Sequence, residues 1–225
     1  MVFKYKEVVP WGRNLDEYRR MFDLSDQDLK LRILGCGDGP ASFNSECNSS
    51  GGSVISADPI YGLSREEINN RIDDTYEEVI SQTRDNQDKF VWDTIGTVDK
   101  LGQIRMEAMQ RFLEDFDQGK TCGRYIEASL PDLPFSNNQF DISLSSHFLF
   151  LYTDNLDLNF HISAISEMLR VSSEARIFPL LDFNANTSHH LRAILSHFED
   201  HDPELRKVNY EFQKGGNKVL ILKRP

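Results

Sequence analysis

The spacing of apolar residues changes period along this chain, and each change marks an element. In NLDEYRRMFDLSDQDLK, residues Leu15, Tyr18, Met21, Phe22 and Leu24 fall near helical spacing, which predicts one or two short helices within residues 11–30. Short apolar runs predict strands at 31–34, 53–57, 124–128, 140–145 and 175–181, the last with Pro179 in an awkward place for a central strand. Pro40 suits the first turn of a helix that NSSGG stops after Cys47. Phe160, Ile162, Ile165, Met168 and Leu169 share one face of another helix, and a further one is expected near 189–198. VNYEFQKGGNKVLILK has two alternating runs around Gly215 and Gly216, the pattern of a hairpin. Strands alternating with helices and closing on a hairpin predict an α/β fold, a mostly parallel sheet with one antiparallel strand added at its end.

The rhythm breaks between Asp58 and Arg124, where one crossover helix would suffice and more than sixty residues stand. Ser64 with Glu67 reads as a capping box, and Ile68, Ile72, Tyr76, Val79 and Ile80 continue on one helical face. Leu101, Ile104, Ala108, Met109, Phe112 and Phe116 mark a second helix, which Gly119 should end. The expected organisation is one domain over residues 1–225 carrying a helical insertion at 64–122. The insertion has two readings. As a lid over a ligand pocket, its acidity favours a cationic or neutral ligand; otherwise it is a surface elaboration or a homodimer contact with a solvated acidic face. Trp92, between the two helices, is the residue expected to reach a pocket.

Composition narrows the function classes. The net charge is −11, and the stretch from Arg65 to Gln118 holds 14 acidic against 7 basic residues, so most of the negative charge lies in the insertion. No basic run offers a surface for phosphates, which argues against a nucleic-acid partner. Cys36, Cys47 and Cys122 leave one thiol unpaired under any scheme and show no CxxC spacing, a pattern suited to a reducing compartment and not to a disulfide framework or a zinc site. His161, His189 and His190 have no third ligand at metal-binding spacing. MVFKYKEVVPWGR lacks the pattern of a secretory signal, and no apolar run approaches the roughly 18 residues that span a bilayer. The expectation is a soluble cytoplasmic protein with no membrane partner.

The chemistry centres on ILGCGDGP. Glycines directly after a strand let the backbone turn sharply and approach a ligand, and a helix beyond them offers free N–H groups. The spacing Gly35, Gly37, Gly39 misses the dinucleotide fingerprint, whose third glycine would stand where Pro40 does. It also lacks the ending that holds triphosphates. Together with Asp58 at the end of the next strand, the stretch SLPDLPFSNNQFDISLSSHFLFLY, and ISEMLRV, it resembles the class I S-adenosylmethionine-dependent methyltransferases, in particular the subfamily of small-molecule methyltransferases.

That resemblance implies a Rossmann-like, doubly wound seven-stranded sheet and S-adenosyl-L-methionine as cofactor. It places Gly35, Cys36, Gly37, Asp38 and Gly39 around the cofactor, Asp58 on the ribose hydroxyls with Pro59 beside it, Ser129 and Leu130 at the adenine, and Ser145 at the end of the fourth strand. The chain departs from the family at two usually acidic positions, Ile33 and Ser129. Arg13, outside any apolar pattern, is a candidate partner for the cofactor carboxylate. Methyl transfer from a sulfonium needs alignment and no obligatory acid or base. A base serves only an acceptor that must lose a proton, and His147 after the fourth strand is the candidate; its bland reading is a packed histidine beneath a helix. Leu151, four residues on, gives an apolar floor. The expected partner is a small-molecule methyl acceptor. The alternatives are a methyltransferase-fold binding or regulatory module without turnover, and a protein methyltransferase.

Overall fold

The computed structural model describes residues 9–225; residues 1–8, the opening of the stretch read above for a secretory signal, lie outside the described residues. The elements in chain order are α1 (Leu15–Phe22), β1 (Arg32–Cys36), α2 (Phe43–Ser49), β2 (Ser53–Ala57), α3 (Arg65–Asp85), α4 (Val98–Thr121), β3 (Tyr125–Ile126), β4 (Phe140–Ser146), α5 (Leu158–Val171), β5 (Ser172–Phe178), α6 (Leu191–His197), β6 (Glu204–Lys207) and β7 (Lys218–Lys223). The seven strands form one sheet in the order β3-β2-β1-β4-β5-β7-β6. Strands β1 to β5 run parallel, and β7 is antiparallel to both β5 and β6. This is the expected Rossmann-like doubly wound sheet. Its strand order reverses between β1 and β4, so the crevice for a ligand opens beyond the carboxyl ends of those two strands.

The elements form where their sequences favour them. Helix α1 opens on a capping box in which Asn14 accepts from the Glu17 N–H, and it buries Tyr18, Met21 and Phe22. Helix α3 opens on the Ser64–Glu67 box read from the sequence. Thr97 caps α4 by its side chain alone, accepting from the Lys100 N–H. The central strands β1 and β4 are buried almost throughout, as both faces of a parallel sheet covered by helices require. One core lies against α5 and another against α1 and α2, while a third joins α3 and α4 through Ile68, Ile72, Met109 and Phe112.

Five boundaries differ from expectation. β5 is Ser172–Phe178, not 175–181, so it stops before Pro179, which has no N–H to give a central ladder. Helix α2 starts at Phe43, not at Pro40, because the backbone of Pro40 and Ala41 is spent packing against Gly12, where a side chain would lie 2.0 Å from the Pro40 carbonyl oxygen. Helix α4 runs past Gly119 to Thr121; that glycine gives room to the Tyr125 ring, which a Cβ would approach to 2.3 Å. β3 shrinks to two residues at the sheet edge. The hairpin strand is Glu204–Lys207, not the NYEF stretch. Tyr210 leaves the ladder to donate to buried Glu17, and Phe212 leaves it to stack on Phe90. Among the described residues no helix is long and apolar enough to cross a membrane.

Candidate functional site

The turn after β1 is built by two glycines and two carboxylates. Gly37 and Gly39 have φ of +67° and +54°, the left-handed region that glycine enters without cost. At Gly37 space is short as well, since a Cβ would lie 3.1 Å from the Phe148 ring. Between them Asp38 folds back over Gly35, leaving no room for a side chain there. Tyr18 donates to Asp38 Oδ1 at 2.7 Å and Ser56 to Oδ2 at 2.6 Å. Burial raises the Asp38 carboxyl to about 6; the bonds from Ser56 and Tyr18 oppose that rise and the nearby Asp58 adds to it. Asp58 accepts from the Gly39 N–H and from the Ile60 N–H, both at 2.8 Å. Burial raises this carboxyl too, against the pull of those two N–H groups. Tyr61 donates to the Gly39 carbonyl at 2.7 Å, so the loop is fixed on both sides of its last glycine.

A cavity of about 440 Å³ opens beside this loop at the switch point of the sheet. Gly37, Asp38, Gly39, Asp58, Pro59, Ser129 and Leu130 line one part of it. The insertion lines another through Val79, Thr83, Phe90 and Leu101, facing Leu151, Phe183 and Phe212. Arg13 and His147 also stand on its wall. Gly35, Cys36 and Ser145 do not. Gly35 is covered by Asp38, Cys36 is wholly buried with its thiol pushed up by burial, and Ser145 points into the protein with an unpartnered hydroxyl. The neighbouring Ser146 reaches the cavity instead, as the alternation of a strand requires. Ile33 is buried on the core face of β1 with α1 and α2 around it. A shallower hollow shares Pro59, Ala128 and Ser129 with the cavity and adds Glu127.

His147 is held in an unusual conformation. Its φ is +53°, a strained value for a residue with a side chain, and its N–H donates to the Phe178 carbonyl at 2.6 Å. Nδ1 lies 3.0 Å from Ser146 Oγ, which fixes the ring and leaves Nε2 without a partner among the described residues. Burial, and after it the charges of Arg13 and Arg105, hold this imidazole well below the usual histidine range. These effects favour the neutral ring and disfavour its imidazolium, so Nε2 offers a lone pair but a weak base. Arg13 donates through Nη1 to the Trp11 carbonyl at 3.1 Å, and its buried Nε has no partner among the described residues.

Three segments far apart in sequence enclose the cavity. Arg105 of α4 grips Glu17 of α1 with both terminal nitrogens, Nη2 to Oε1 at 2.7 Å, and Tyr210 donates to the same Oε1 at 3.0 Å. Burial would raise Glu17, but the Arg105 charge and hydrogen bonds outweigh it and bring the carboxyl down to about 2. Beyond this pair, the Val91 N–H donates to the Phe212 carbonyl at 2.7 Å and the Lys214 N–H to the Lys89 carbonyl at 2.9 Å. Phe90 stacks on Phe212 with centroids 4.7 Å apart. The expectation for Trp92 is corrected: its indole N–H is held by the Gln87 carbonyl, so the ring packs edge-on against Phe90 and Phe212, and Phe90 is the residue that reaches the cavity. The acidic residues of the insertion that were expected to colour a pocket are absent from its wall.

Sequence reasoning missed Ser146, Tyr152, Phe90 and Phe212. Helical spacing marks Tyr18 for packing, and it does stack on Phe43 at 4.1 Å, but nothing in the spacing shows that its hydroxyl reaches Asp38. Tyr152 accepts from the Val9 N–H at 3.1 Å, a contact 143 residues apart in the chain.

The chain is 38% identical over 220 residues to a protein of Methanocaldococcus jannaschii named "Uncharacterized protein MJ0045", and the match covers 97% of both. The chain belongs to that protein's family. No protein-family model matches it. Among solved structures it is similar to the magnesium protoporphyrin IX methyltransferase ChlM of Synechocystis PCC 6803 with bound SAM, at 11% identity and a TM-score of 0.45, covering 93% of this chain and 90% of that one. It is also similar to WbdD, crystallised with the kinase inhibitor LY294002, at 9% identity and a TM-score of 0.49; there it covers 93% of this chain but spans only 40% of the longer one. The strand order and reversed last strand of this chain make a Rossmann-like, mostly parallel seven-stranded sheet.

Proposed function

We propose that the protein is an S-adenosylmethionine-dependent methyltransferase whose acceptor is a small molecule held in the cavity. The observation that carries this reading is the glycine turn locked by Asp58 at one part of a cavity that the insertion roofs at another. The chemistry of the donor set fits the cofactor. Each Asp58 oxygen accepts one backbone N–H and keeps a second lone pair, so the pair can still receive the two ribose hydroxyls. Pro59 and Leu130 offer apolar surface to an adenine, with Ser129 at the rim. The orphaned Nε of Arg13 on the cavity wall suits the cofactor's carboxylate. Asp38 brings a carboxylate to the loop that the sequence lacks at Ile33.

When bound, the cofactor supplies a methyl group on a sulfonium, already activated for displacement. The protein's part is to align the acceptor, keep water out and, for a protic acceptor, take a proton on His147 Nε2. The insertion acts here as a lid. Its contact with the 208–217 loop narrows the cavity to a partly covered cleft, which favours a small molecule over the side chain of a folded protein.

Calorimetric titration of S-adenosylmethionine and S-adenosylhomocysteine tests the cofactor reading. Micromolar binding is expected, lost in Asp58→Ala while the melting temperature shows that the variant still folds. No binding by the wild-type protein at millimolar cofactor overturns the reading and leaves a binding module of the same fold.

A further inference from the structure

The strained histidine on the cavity wall is one end of a buried chain of hydrogen bonds. His147 Nδ1 lies 3.0 Å from Ser146 Oγ. That hydroxyl also bonds to the Tyr18 phenol, which burial raises most and which the bond from Ser146 pulls back. Tyr18 in turn donates to Asp38 Oδ1 at 2.7 Å. Three parts of the fold meet here: Tyr18 from α1, Asp38 from the glycine turn, and Ser146 with His147 from the end of β4. Tyr18, Asp38 and Ser146 are buried. On the other side of the carboxylate, Ser56 donates to Oδ2 at 2.6 Å while accepting from Asn44 Nδ2 at 3.1 Å, so Asp38 receives hydrogens from both directions.

The charge at the end of the chain dictates the direction of every bond in it. A carboxylate only accepts. Tyr18 therefore spends its one hydrogen on Asp38, and its oxygen receives the hydrogen of Ser146. Ser146 then has none left to give, so His147 Nδ1 carries the proton of the ring and donates it. From this series we infer that Asp38, Tyr18 and Ser146 are positioning residues for His147, fixing the tautomer with N–H at Nδ1 and the lone pair at Nε2. A histidine ring free in water favours the opposite form, and the partner of one nitrogen decides the state of the other. With this polarity Nε2 can only receive a hydrogen bond from the cavity, which suits a methyl acceptor that presents an O–H or N–H. The charged and titratable groups facing the chain are Arg13 and Arg105 at His147, Arg13 again at Tyr18, and Cys36, Asp58 and Tyr61 at Asp38. Among the described residues none of these hydrogen-bonds to His147 Nδ1, Ser146 Oγ or the Tyr18 hydroxyl. The inference deepens the role proposed above for His147 and takes its catalytic meaning from it.

The test is heteronuclear NMR of the imidazole nitrogens in the full chain, with neither cofactor nor acceptor added. It is run at about pH 8, above the value of about 6 to which burial raises Asp38, so that the carboxylate is ionised. The His147 signals are assigned by their loss in His147→Asn, since asparagine tolerates the left-handed backbone at that position. The wild type is expected to show Nδ1 protonated and Nε2 bare. Tyr18→Phe cuts the chain in the middle and Ser146→Ala cuts it beside the ring; each is expected to return His147 to the Nε2–H form, a change that loss of packing alone does not produce. A wild-type ring in the Nε2–H form overturns the inference, and so does an Nδ1–H form that persists in either variant. Ser146→Ala carries the test if Tyr18→Phe does not fold. Failure of S-adenosylmethionine to bind in the calorimetric titration overturns the cofactor reading without moving this tautomer, so the two results are read separately.

Discussion

The glycine turn and the lid line the same cavity but are held by different forces. At the turn, both oxygens of Asp38 and both of Asp58 are engaged, by Tyr18, Ser56 and the N–H groups of Gly39 and Ile60. At the lid tip, two backbone hydrogen bonds and a stacked pair of half-buried rings join Phe90 to Phe212. Satisfied buried polar networks specify one geometry, while stacked rings at a surface allow several. The turn is therefore fixed by directional bonds, and the tip of the insertion mainly by packing.

Four experiments would break or sharpen this contrast. The largest effect belongs to the ion pair behind both regions. Arg105→Met leaves Glu17 buried without its partner and should cost about 3–5 kcal/mol in denaturant unfolding. The pH profile carries the same signature. Because the folded pKa of Glu17 is lowered to about 2, its stabilisation is present above its ordinary value near 4.5 and is lost as the pH falls toward 2. Arg105→Met should flatten that acid limb; an unchanged limb would assign it to other carboxylates.

Next comes the turn. Tyr18→Phe removes a hydrogen bond to a buried carboxylate and should cost about 1.5–3 kcal/mol by chemical denaturation, with weaker S-adenosylhomocysteine binding alongside. Here the pH dependence has the opposite sign. Asp38 is raised in the folded state, so its contribution to stability declines as the pH rises from about 4 through about 6. The difference in stability between the wild type and Asp38→Asn should follow that window. The lid contact ranks third. Phe90→Ala should cost about 0.5–1.5 kcal/mol and speed hydrogen exchange at the Val91 and Lys214 amides, leaving the amides of Gly39 and Ile60 unchanged. Smallest is the exposed Arg84–Asp99 pair across the lid helices, where Arg84→Ala should stay within about 0.5 kcal/mol.

The two regions were also unequally legible in the sequence. The turn could be read because its signals are local. Gly37 and Gly39 directly follow a strand, and Asp58 stands at the carboxyl end of the next one. The caps at Ser64 and Thr97 are likewise local, and the sequence shows the first of them outright. The lid could be read only as two helices. Its contact with the 208–217 loop joins residues more than a hundred positions apart, and no periodicity reports which ring of Phe90 and Trp92 turns inward. The acidity of the insertion misled for a related reason. Composition counts charges without the face they occupy, and on α3 that face is solvent. The choice of Ser145 over Ser146 shows the same limit at one residue, because in a strand a single step exchanges cavity for core.

The Glu17–Arg105–Tyr210 cluster has a consequence for how the molecule comes into being. Its three members are contributed near the beginning, the middle and the end of the chain. During synthesis Glu17 emerges first, and its carboxylate stays in water until α4 arrives; its last partner follows only when the tail has left the ribosome. β7, which joins β6 to the rest of the sheet, is later still. The cavity wall is thus completed only when the 208–217 loop docks, after the glycine turn and both helices of the insertion have been made.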